Sequence, residues 1–369
     1  MRWLAATLLI AACAGEPAAP PPIRFLHTFD AKETELFNAT MAERRLAVES
    51  KLVPFARGQQ VIAEMLRAGK HCPDAIRIDA TWLPELVAAH VLAPPPRELV
   101  ALDWTPEAAA LAQVGGTWWA VPETVDGLVV ARDAGMPAPA SPSIADLVAA
   151  AKARGELAHP LAVRVDGYWL VPWLRAEGVE LAPGDAIASQ GAVRALASFA
   201  ALFGGLVPAP PAAGSEAPEE LRRWNDGEVA YWVTGPWQLG ALRDRERVAV
   251  SALAHAPRGG QLLVVPTCAA RPEAGWRLAG ELTSVTVELV FADAFATVPT
   301  RRAAFDSAAP LVRAEYDALA SAEPLPRSPV TPLLFDDLNP ALAAVVAGDA
   351  TAEEAAAGVA RGWHRLEKR

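Results

Sequence analysis

Tryptophan and carboxylate side chains are the groups in this chain whose chemistry points most directly to binding. The chain has 12 Trp against only 3 Tyr. Two of them, Trp232 and Trp237, flank a Gly-Pro break in VAYWVTGPWQLG, where a turn usually carries small polar residues. Flat indole faces cover the C–H faces of a sugar and remove apolar surface from water, while carboxylates accept hydrogen bonds from hydroxyl pairs. A sugar site needs both kinds of group, but the residue types alone do not identify a solute.

Three further candidate binding residues follow apolar segments that are typical of strands. Asp30 follows IRFLHTF, and Asp79 and Trp82 follow AIRI. In sheets with alternating strands and helices, ligands bind at the carboxyl ends of the strands, so we expect these side chains at the rim of a cleft. Asp30 and Asp79 have an alternative role, because aspartate in this position most often caps the following helix.

The elements that must position these residues alternate between strands and helices. The strand IRFLHTF precedes the helical segment DAKETELFNATMAERR, and the strand LAVESKLV precedes the helical segment GQQVIAEMLRAG. This alternation predicts an α/β fold with mainly parallel sheets that carry helices on their faces. With 369 residues, 52% of them hydrophobic and 21% charged, the chain is typical of a folded protein with two domains.

The segment GGTWWAVPETVDGLVVAR (residues 115–132) is interpreted as a hairpin or a pair of short strands around a Pro-Glu turn. Within it, Trp118 and Trp119 are adjacent in a strand, so their side chains point to opposite faces. At most one of the two indoles therefore faces a cleft, and the sequence does not decide which.

Helix-capping patterns and packing tryptophans appear from residue 143 onward. Ser143 stands where an N-cap belongs, and Thr351 with Glu354 forms a capping box after a predicted turn at Gly348-Asp349. Three tryptophans lie in helical patterns, and we expect them to pack in the protein interior: Trp224, Trp276 and Trp363.

The charge and the motifs exclude several classes of function. The net charge is −10 and no basic stripe is present, which argues against a nucleic-acid partner. Neither a Gly-x-Ser-x-Gly elbow nor a His-Glu-x-x-His motif occurs, and the six His are spread singly. We therefore expect a protein that is not an enzyme and has no cofactor, although a carboxylate pair for glycoside hydrolysis is not excluded.

The N-terminal segment MRWLAATLLIAACAGEPAAPPP is typical of a targeting sequence. Its apolar run, Trp3–Ala12, is ten residues long, whereas a membrane-spanning helix needs roughly 20. Ile10-Ala11-Ala12-Cys13 resembles the lipobox of bacterial lipoproteins, which implies a signal peptide over 1–12, lipidation of Cys13 and a tether over 13–22. The alternative is an ordinary secretory peptide that contains a cysteine. Either reading places the mature protein outside the cytoplasm, at the periplasm or cell surface.

Cys72 and Cys268 are the remaining cysteines of the chain. An extracytoplasmic compartment permits a disulfide between them, but sequence alone does not show that their Cα atoms lie close enough. Neither cysteine has the paired spacing of a zinc site, so no metal is expected.

Five segments in order resemble the extracellular solute-binding proteins of ABC importers, in the family of the maltose-binding protein. The resemblance runs over roughly Ile23 to Leu366 and departs from the family pattern at Tyr231-Trp232, and at Val130 and Arg132. The segments are IRFLHTFDAKETELFN, CPDAIRIDATWLPELVAAHVLAP, GGTWWAVPETVDGLVVARD, WNDGEVAYWVTGPWQLGAL and LLVVPTCAARPEAGWRLAGELTS.

The resemblance implies a periplasmic-binding-protein type II fold with two hinge-linked lobes. The N-terminal lobe would comprise 23–122 plus 262–325, and the C-terminal lobe 123–261 plus 326–369. It further implies a monomer that captures a small solute, a sugar or oligosaccharide, in the cleft by hinge closure. The solute would then pass to a membrane permease of an ABC transporter.

Three ligand-binding residues are carried over from the family's pattern. Its aromatic contact in the Gly-Pro-Trp loop falls on Trp237, its cleft carboxylate on Asp126, and the aromatic before the helix WLVPWLRAEG on Tyr168. The alternative for Trp237 is that it fills the interior of the second lobe.

Three other functions stay open at this point. One is a solute sensor without transport, and another is an extracytoplasmic carbohydrate-active enzyme. The third is a metal receptor of similar shape, against which the wide separation of Tyr168, Tyr231 and Tyr316 in the sequence argues.

Overall fold

A larger β-sheet supplies half of the framework in the computed structural model, which describes residues 20–209 and 219–367. The predicted signal peptide and Cys13 lie outside the described residues. The strands of the larger sheet, labelled in chain order, are β1 (Ile23–His27), β2 (Val48–Leu52), β3 (Ala75–Asp79), β4 (Leu92–Ala93), β7 (Val121–Gly127), β12 (Pro257–Pro266) and β13 (Glu323–Pro324). The order is β13-β12-β3-β1-β2, and β4 and β7 also pair with β12.

A smaller sheet and a short two-stranded ribbon complete the strands of the described residues. The ribbon consists of β5 (Gln113–Val114) and β6 (Thr117–Trp118). The smaller sheet has the order β11-β8-β10-β9, with β8 (Val129–Asp133), β9 (Leu161–Ala162), β10 (Tyr231–Thr234) and β11 (Val248–Ser251). Both sheets are mixed: β1 runs parallel to β2 and β3, and β9 parallel to β10, whereas β12 is antiparallel to β3 and β7.

Helices follow most strands, as the α/β alternation predicts. None of the helices in the described ranges is long and apolar enough to cross a bilayer. They are α1 (Ala31–Glu43), α2 (Phe55–Ala68), α3 (Leu83–Ala88), α4 (Arg97–Val100), α5 (Pro106–Leu111), α6 (Ile144–Lys152), α7 (Gly167–Ala176), α8 (Gln190–Ala200), α9 (Glu219–Asn225), α10 (Pro236–Leu239), α11 (Pro272–Leu282), α12 (Val285–Phe295), α13 (Arg302–Ser307), α14 (Pro310–Leu319), α15 (Thr331–Ala347) and α16 (Ala352–Trp363).

The chain passes between the two sheets more than once. It leaves the larger sheet after Gly127 and enters the smaller one at Val129, then returns between Ser251 and Pro257. After β13 it continues into α15, which packs against α7 and α8, and α16, which packs against α8. The lobe boundaries given above stay a proposal.

One prediction about the strands is wrong. Pro122 and Glu123 do not form a turn, because both lie inside the seven-residue strand β7. Within the larger sheet β7 pairs with β12 alone, and an edge strand tolerates a proline that lacks the N–H donor. The hairpin interpretation therefore fails at this point, and a continuous strand leads from Val121 to the crossing.

The predicted helix caps and packing tryptophans are confirmed. The Ser143 hydroxyl accepts a hydrogen bond from the backbone N–H of Asp146, and Thr351 with Glu354 forms a reciprocal capping box. Gly348, at the end of α15, has a φ of 79°, a left-handed conformation that favours glycine. Trp276 and Trp363 are buried and Trp224 is partly buried against the core.

The disulfide that the sequence left open is present in the structure. Cys72 precedes β3 and Cys268 follows β12, with a Cα–Cα separation of 5.8 Å. Ile76 lies opposite Val264 in the antiparallel pair, and extending that register by four residues puts Cys268 opposite Cys72. The register of the larger sheet therefore brings together two cysteines that are 196 residues apart.

Candidate functional site

Asp79, Asp126 and Gln261 lie on one face of the strands β3, β7 and β12. Gln261 is opposite Asp79 in the pair of β12 with β3, and Gly259 is opposite Asp126 in the pair of β12 with β7. Side chains two positions apart on a strand share a face, and directly opposed residues share it too. The register therefore gathers two carboxylates and one amide where the chain crosses to the smaller sheet.

Asp79 has both a structural role and a place on this face. Its Oδ1 atom accepts hydrogen bonds from the backbone N–H of Thr81, at 2.8 Å, and from the Thr81 hydroxyl, and so caps the short 3-10 helix Ala80–Trp82. Its Oδ2 atom accepts from the Gln261 amide nitrogen at 3.2 Å. Burial raises the pKa of Asp79, although the hydrogen bonds and the nearby Arg77 oppose that rise.

Asp126 is the carboxyl group whose ionised form is least compensated on this face. Burial and then the neighbouring Asp79 carboxylate raise the pKa of Asp126 to about 7, against the opposing effects of Arg77 and of the Gln261 side chain. The side chain is only partly exposed. The structure thus holds Asp126 in a setting where an added hydrogen-bond donor or cation stabilises its charge.

Gly259 leaves the space in which Asp126 and Tyr168 approach one another. A Cβ atom on Gly259 would lie 2.9 Å from Asp126 Oδ1 and 3.8 Å from the Tyr168 hydroxyl oxygen. Any larger residue would therefore push into the carboxylate. At Gly259 the acidic face of the larger sheet therefore lies close to an aromatic side chain that follows the smaller sheet.

A buried ion pair of Arg77 and Glu123 lies beside the acidic face. The Arg77 guanidinium donates to Glu123 and to the hydroxyl of Thr28, and it stacks over the Phe29 ring at 4.4 Å. Thr124 lies opposite Gln261 whereas Pro122 lies opposite Leu262, so Glu123 is the extra residue of a β-bulge. A bulge redirects a side chain, and here it accompanies the contact of Glu123 with Arg77.

Tyr168, Trp169 and Trp237 form an aromatic cluster beside the acidic face. Trp237 packs edge-on against Tyr168 and Trp169, with ring centroids 6.3 and 5.9 Å away. Trp169 is anchored because its indole N–H donates to the carbonyl of Val233 at 2.8 Å, and the Tyr168 hydroxyl donates to the carbonyl of Pro257 at 3.3 Å. Trp237 is 40% exposed, so it is not sealed in the interior.

Two glycines let the start of α10, which carries Trp237, approach the site closely. A Cβ atom on Gly235 would lie 2.6 Å from the carbonyl oxygen of Gly127, the residue that follows Asp126. The Gly235-Pro236 break thus lets β10 end directly against β7. This close approach explains why glycine stands at position 235 in VAYWVTGPWQLG, and it brings Trp237 to the same region as Asp126.

The two remaining candidates lie outside this cluster of contacts. Asp30 caps α1: its Oδ1 accepts from the Glu33 backbone N–H, while the Glu33 carboxylate accepts from the Asp30 N–H. Trp82 is 5% exposed and packs against Phe55, with ring centroids 5.3 Å apart. Their roles in binding stay predictions.

Several residues of the site escaped the sequence analysis. Gln261, Arg77 and Glu123 occur inside strands, where a single polar residue carries no motif, and Trp169 lies within an apolar helix segment. The pair Gly259-Gly260 within β12 was the one available signal, because glycine inside a strand indicates a close approach of another group. No group of three or more potential metal ligands occurs in the described residues. Trp118 and Trp119, the adjacent pair, are both half-buried.

Solved structures with the same architecture are numerous. The GacH receptor of Streptomyces glaucescens, solved unliganded and with acarbose, superposes with a TM-score of 0.80 at 22% identity over 94% of this chain and 98% of that one. Maltose-bound MalE3 from T. maritima gives 0.81 at 20% identity over 94% and 99%. The maltotriose binding protein of Thermus thermophilus gives 0.78 at 17% identity over 94% and 100%. The predicted two-lobed α/β fold is confirmed.

The sequence itself places the chain in a family. None of the curated proteins that were compared matches it significantly. Residues 42–316 match the family described as bacterial extracellular solute-binding protein. Because this match covers most of the chain, the protein belongs to the family of bacterial extracellular solute-binding proteins.

Proposed function

We propose that the protein captures a sugar or oligosaccharide in a cleft between its two lobes and delivers it to the permease of an ABC importer. The observation that carries this proposal is the partly exposed Trp237 beside the acidic face of Asp79, Asp126 and Gln261. An indole face covers the C–H face of a sugar, and carboxylates and amides bind its hydroxyl groups. The sugars in the three solved structures support the same solute class.

Hinge closure is part of the proposal because the binding groups belong to different parts of the chain. Asp79 and Gln261 lie in the larger sheet, whereas Tyr168 and Trp237 follow strands of the smaller one. A solute that contacts both sets stabilises the closed form, in which all the contacts exist together. The energy of closure then comes from contacts that neither half makes alone.

We further propose that the mature protein is a monomeric lipoprotein anchored to the membrane through Cys13, and that it binds its solute without turnover. The family's extracellular role and the lipobox-like Ile10-Ala11-Ala12-Cys13 support the anchor. Mass spectrometry of the membrane fraction tests it: diacylglycerol on Cys13 is expected, and an unmodified mature N-terminus contradicts it.

The sugar-binding proposal is tested first by a thermal-shift screen against mono- and oligosaccharides. A solute that binds the native state alone raises the unfolding midpoint by mass action. Calorimetry with the best solute then compares wild type with Trp237→Ala. We expect the variant to fold and its affinity to fall about 10-fold or more, because an apolar face of the sugar returns to water.

The conservative variant Trp237→Phe is the matched control. It keeps an aromatic face of smaller area, so its affinity should lie between those of wild type and Trp237→Ala. Wild-type affinity in Trp237→Ala would remove Trp237 from the site. Release of reducing sugar ends above background would instead favour the carbohydrate-active enzyme.

A further inference from the structure

The side chains around Asp126 offer hydrogen-bond acceptors in excess of donors. The Gln261 amide nitrogen donates to Asp79, while its carbonyl oxygen Oε1 is buried and has no partner among the described residues. Gln261 as a whole is only 8% exposed. The Tyr168 hydroxyl uses its proton on the carbonyl of Pro257 and keeps its lone pairs. An unpaired buried acceptor costs free energy until a donor reaches it.

The charges on this face are also unbalanced. Four carboxyl groups act on the same region, those of Asp79, Asp126, Glu123 and Glu33, and among the described residues the guanidinium of Arg77 is the cation that acts on all three buried ones. Arg77 is already bound to Glu123 and stacked on a ring.

Two further cations, near the aromatic cluster, have partners of their own. Arg175 donates to the carbonyl oxygens of Glu323 and Pro324, and Arg164 lies over the Trp169 ring at 4.9 Å. The protein side of the site is therefore short of positive charge.

A sugar hydroxyl and an ammonium group meet this shortage differently. A hydroxyl brings one donor together with two acceptor lone pairs, whereas an ammonium brings three donors, no acceptor and a positive charge. The ammonium also gains from a nearby aromatic face, which the exposed indole of Trp237 offers. Burial and the Asp79 carboxylate raise the pKa of Asp126 to about 7 despite the nearby Arg77, and an ammonium would add a second positive charge beside it.

We propose that the solute carries an amine, bound as an ammonium between Asp126, Asp79 and the amide oxygen of Gln261, with its sugar ring against Trp237. This inference rests on the proposed function and narrows its substrate class from sugars to amino sugars. The hydroxyl groups of the ring remain for the other polar side chains of the cleft.

Calorimetry on the wild-type protein tests the inference with matched ligands. The probes are glucose and galactose derivatives with an amine at C2, C3 or C6, and the disaccharides of glucosamine and of glucose with a β-1,4 linkage. Each amine is compared with its parent alcohol and its N-acetyl form. We expect at least one amine to bind about 10-fold or more tightly than both, since hydrogen bonds to charged groups contribute more than neutral ones.

The variant Asp126→Asn removes the charge and keeps the shape of the side chain. We expect it to lose the preference for the amine while its affinity for the parent alcohol changes less. The matched control is Asp306→Asn, which removes an exposed carboxylate on α13 and should retain the preference. The wild-type comparison needs no variant, so a folding defect in Asp126→Asn leaves it intact.

The outcomes separate this inference from the proposed function. If neutral sugars bind as tightly as the amines or more tightly, the inference is wrong and the proposed function stands. If no sugar in the panel binds, the proposed function fails and the inference fails with it. A preference that persists in Asp126→Asn, or that Asp306→Asn also abolishes, would arise from the general negative charge and would overturn the inference.

Discussion

His27 is a buried residue outside the candidate site that makes stability depend on pH. Its ring packs among Phe25, Phe29 and Phe37, and neither ring nitrogen has a hydrogen-bond partner in the described part of the chain. Burial, and secondarily the positive charge of Arg77, lower the pKa of His27 to about 4. The imidazole is therefore neutral in the folded protein at neutral pH.

The low pKa of His27 predicts loss of stability in acid. The unfolded chain protonates His27 below about pH 6.5, whereas the folded protein does so only near pH 4. The contribution of His27 to stability is therefore fully present above about pH 6.5 and is lost as the pH falls from about 6.5 to about 4. Between neutral pH and pH 4 the free energy of unfolding should fall by about 3 kcal/mol less in His27→Leu than in wild type. Urea unfolding at each pH measures this difference.

His364→Gln provides a contrast of opposite sign. His364 is exposed, and hydrogen bonds with Glu367 and Asp185 raise its pKa. The stability that His364 contributes is present below about pH 6.5 and is lost as the pH rises. The free energy of unfolding of His364→Gln should therefore fall furthest below the wild-type value in acid. Parallel pH profiles for wild type and His27→Leu would contradict the role of His27.

Glu315, on α14, predicts a stabilising substitution. It is fully buried, both carboxyl oxygens lack a partner within the described residues, and burial raises its pKa well above the usual value. The unfolded chain ionises this group above about pH 4.5 whereas the folded protein does not, so stability falls as the pH rises. We expect Glu315→Met to raise the free energy of unfolding at neutral pH by about 2 kcal/mol.

Calorimetric unfolding of Glu315→Met checks this value against Glu43→Met, an exposed control on α1. A lower midpoint for Glu315→Met than for wild type would contradict it.

At the scale of elements, Asp30 shows how one carboxylate serves a helix. It forms a capping box with Glu33 at the start of α1. We expect Asp30→Ala to lower the free energy of unfolding by about 1 kcal/mol. Asp30→Asn should keep most of the wild-type stability, because asparagine also caps helices. Denaturant unfolding measures both.

Calorimetry with the solute decides whether Asp30 does more than cap α1. A capping role alone leaves the affinity of both variants at the wild-type value. Reduced affinity in Asp30→Asn, with stability unchanged, would assign Asp30 to the binding site.

At the scale of the whole molecule, the disulfide joins segments that the sheet places together. Cys72 and Cys268 close a loop of 196 residues in sequence separation. The double variant Cys72→Ala/Cys268→Ala should lose about 2–5 kcal/mol of unfolding free energy, because the unfolded chain regains freedom. Its solute affinity should stay near wild type, since the bond lies at the opposite ends of β3 and β12 from Asp79 and Gly259.

Reductant provides the control for the disulfide prediction. Wild type treated with reductant should unfold at the midpoint of the double variant, and the variant itself should not respond. A wild-type midpoint that is insensitive to reductant under unfolding conditions would contradict the prediction.

The parts of the fold that sequence predicted are those with local causes. A cap such as Ser143 or Thr351 acts on an N–H three residues away, and strand–helix alternation appears in neighbouring residues. Pro122-Glu123 was misassigned because a Pro-Glu pair resembles a turn locally, whereas its place in an edge strand depends on which strands lie beside β7. At this point the pairing of β7 with β12, and not the local sequence pattern, determined the backbone conformation.

The sequence by itself determined the α/β alternation, the family resemblance and Trp237, Asp126 and Tyr168 as the candidates that it implies. The tertiary structure alone decided that Gln261 joins Asp79 and Asp126, and that Cys72 meets Cys268. The reason is the range over which each cause acts. Capping and periodicity act over a few neighbouring residues, whereas strand order and register set contacts between residues 182 or 196 positions apart.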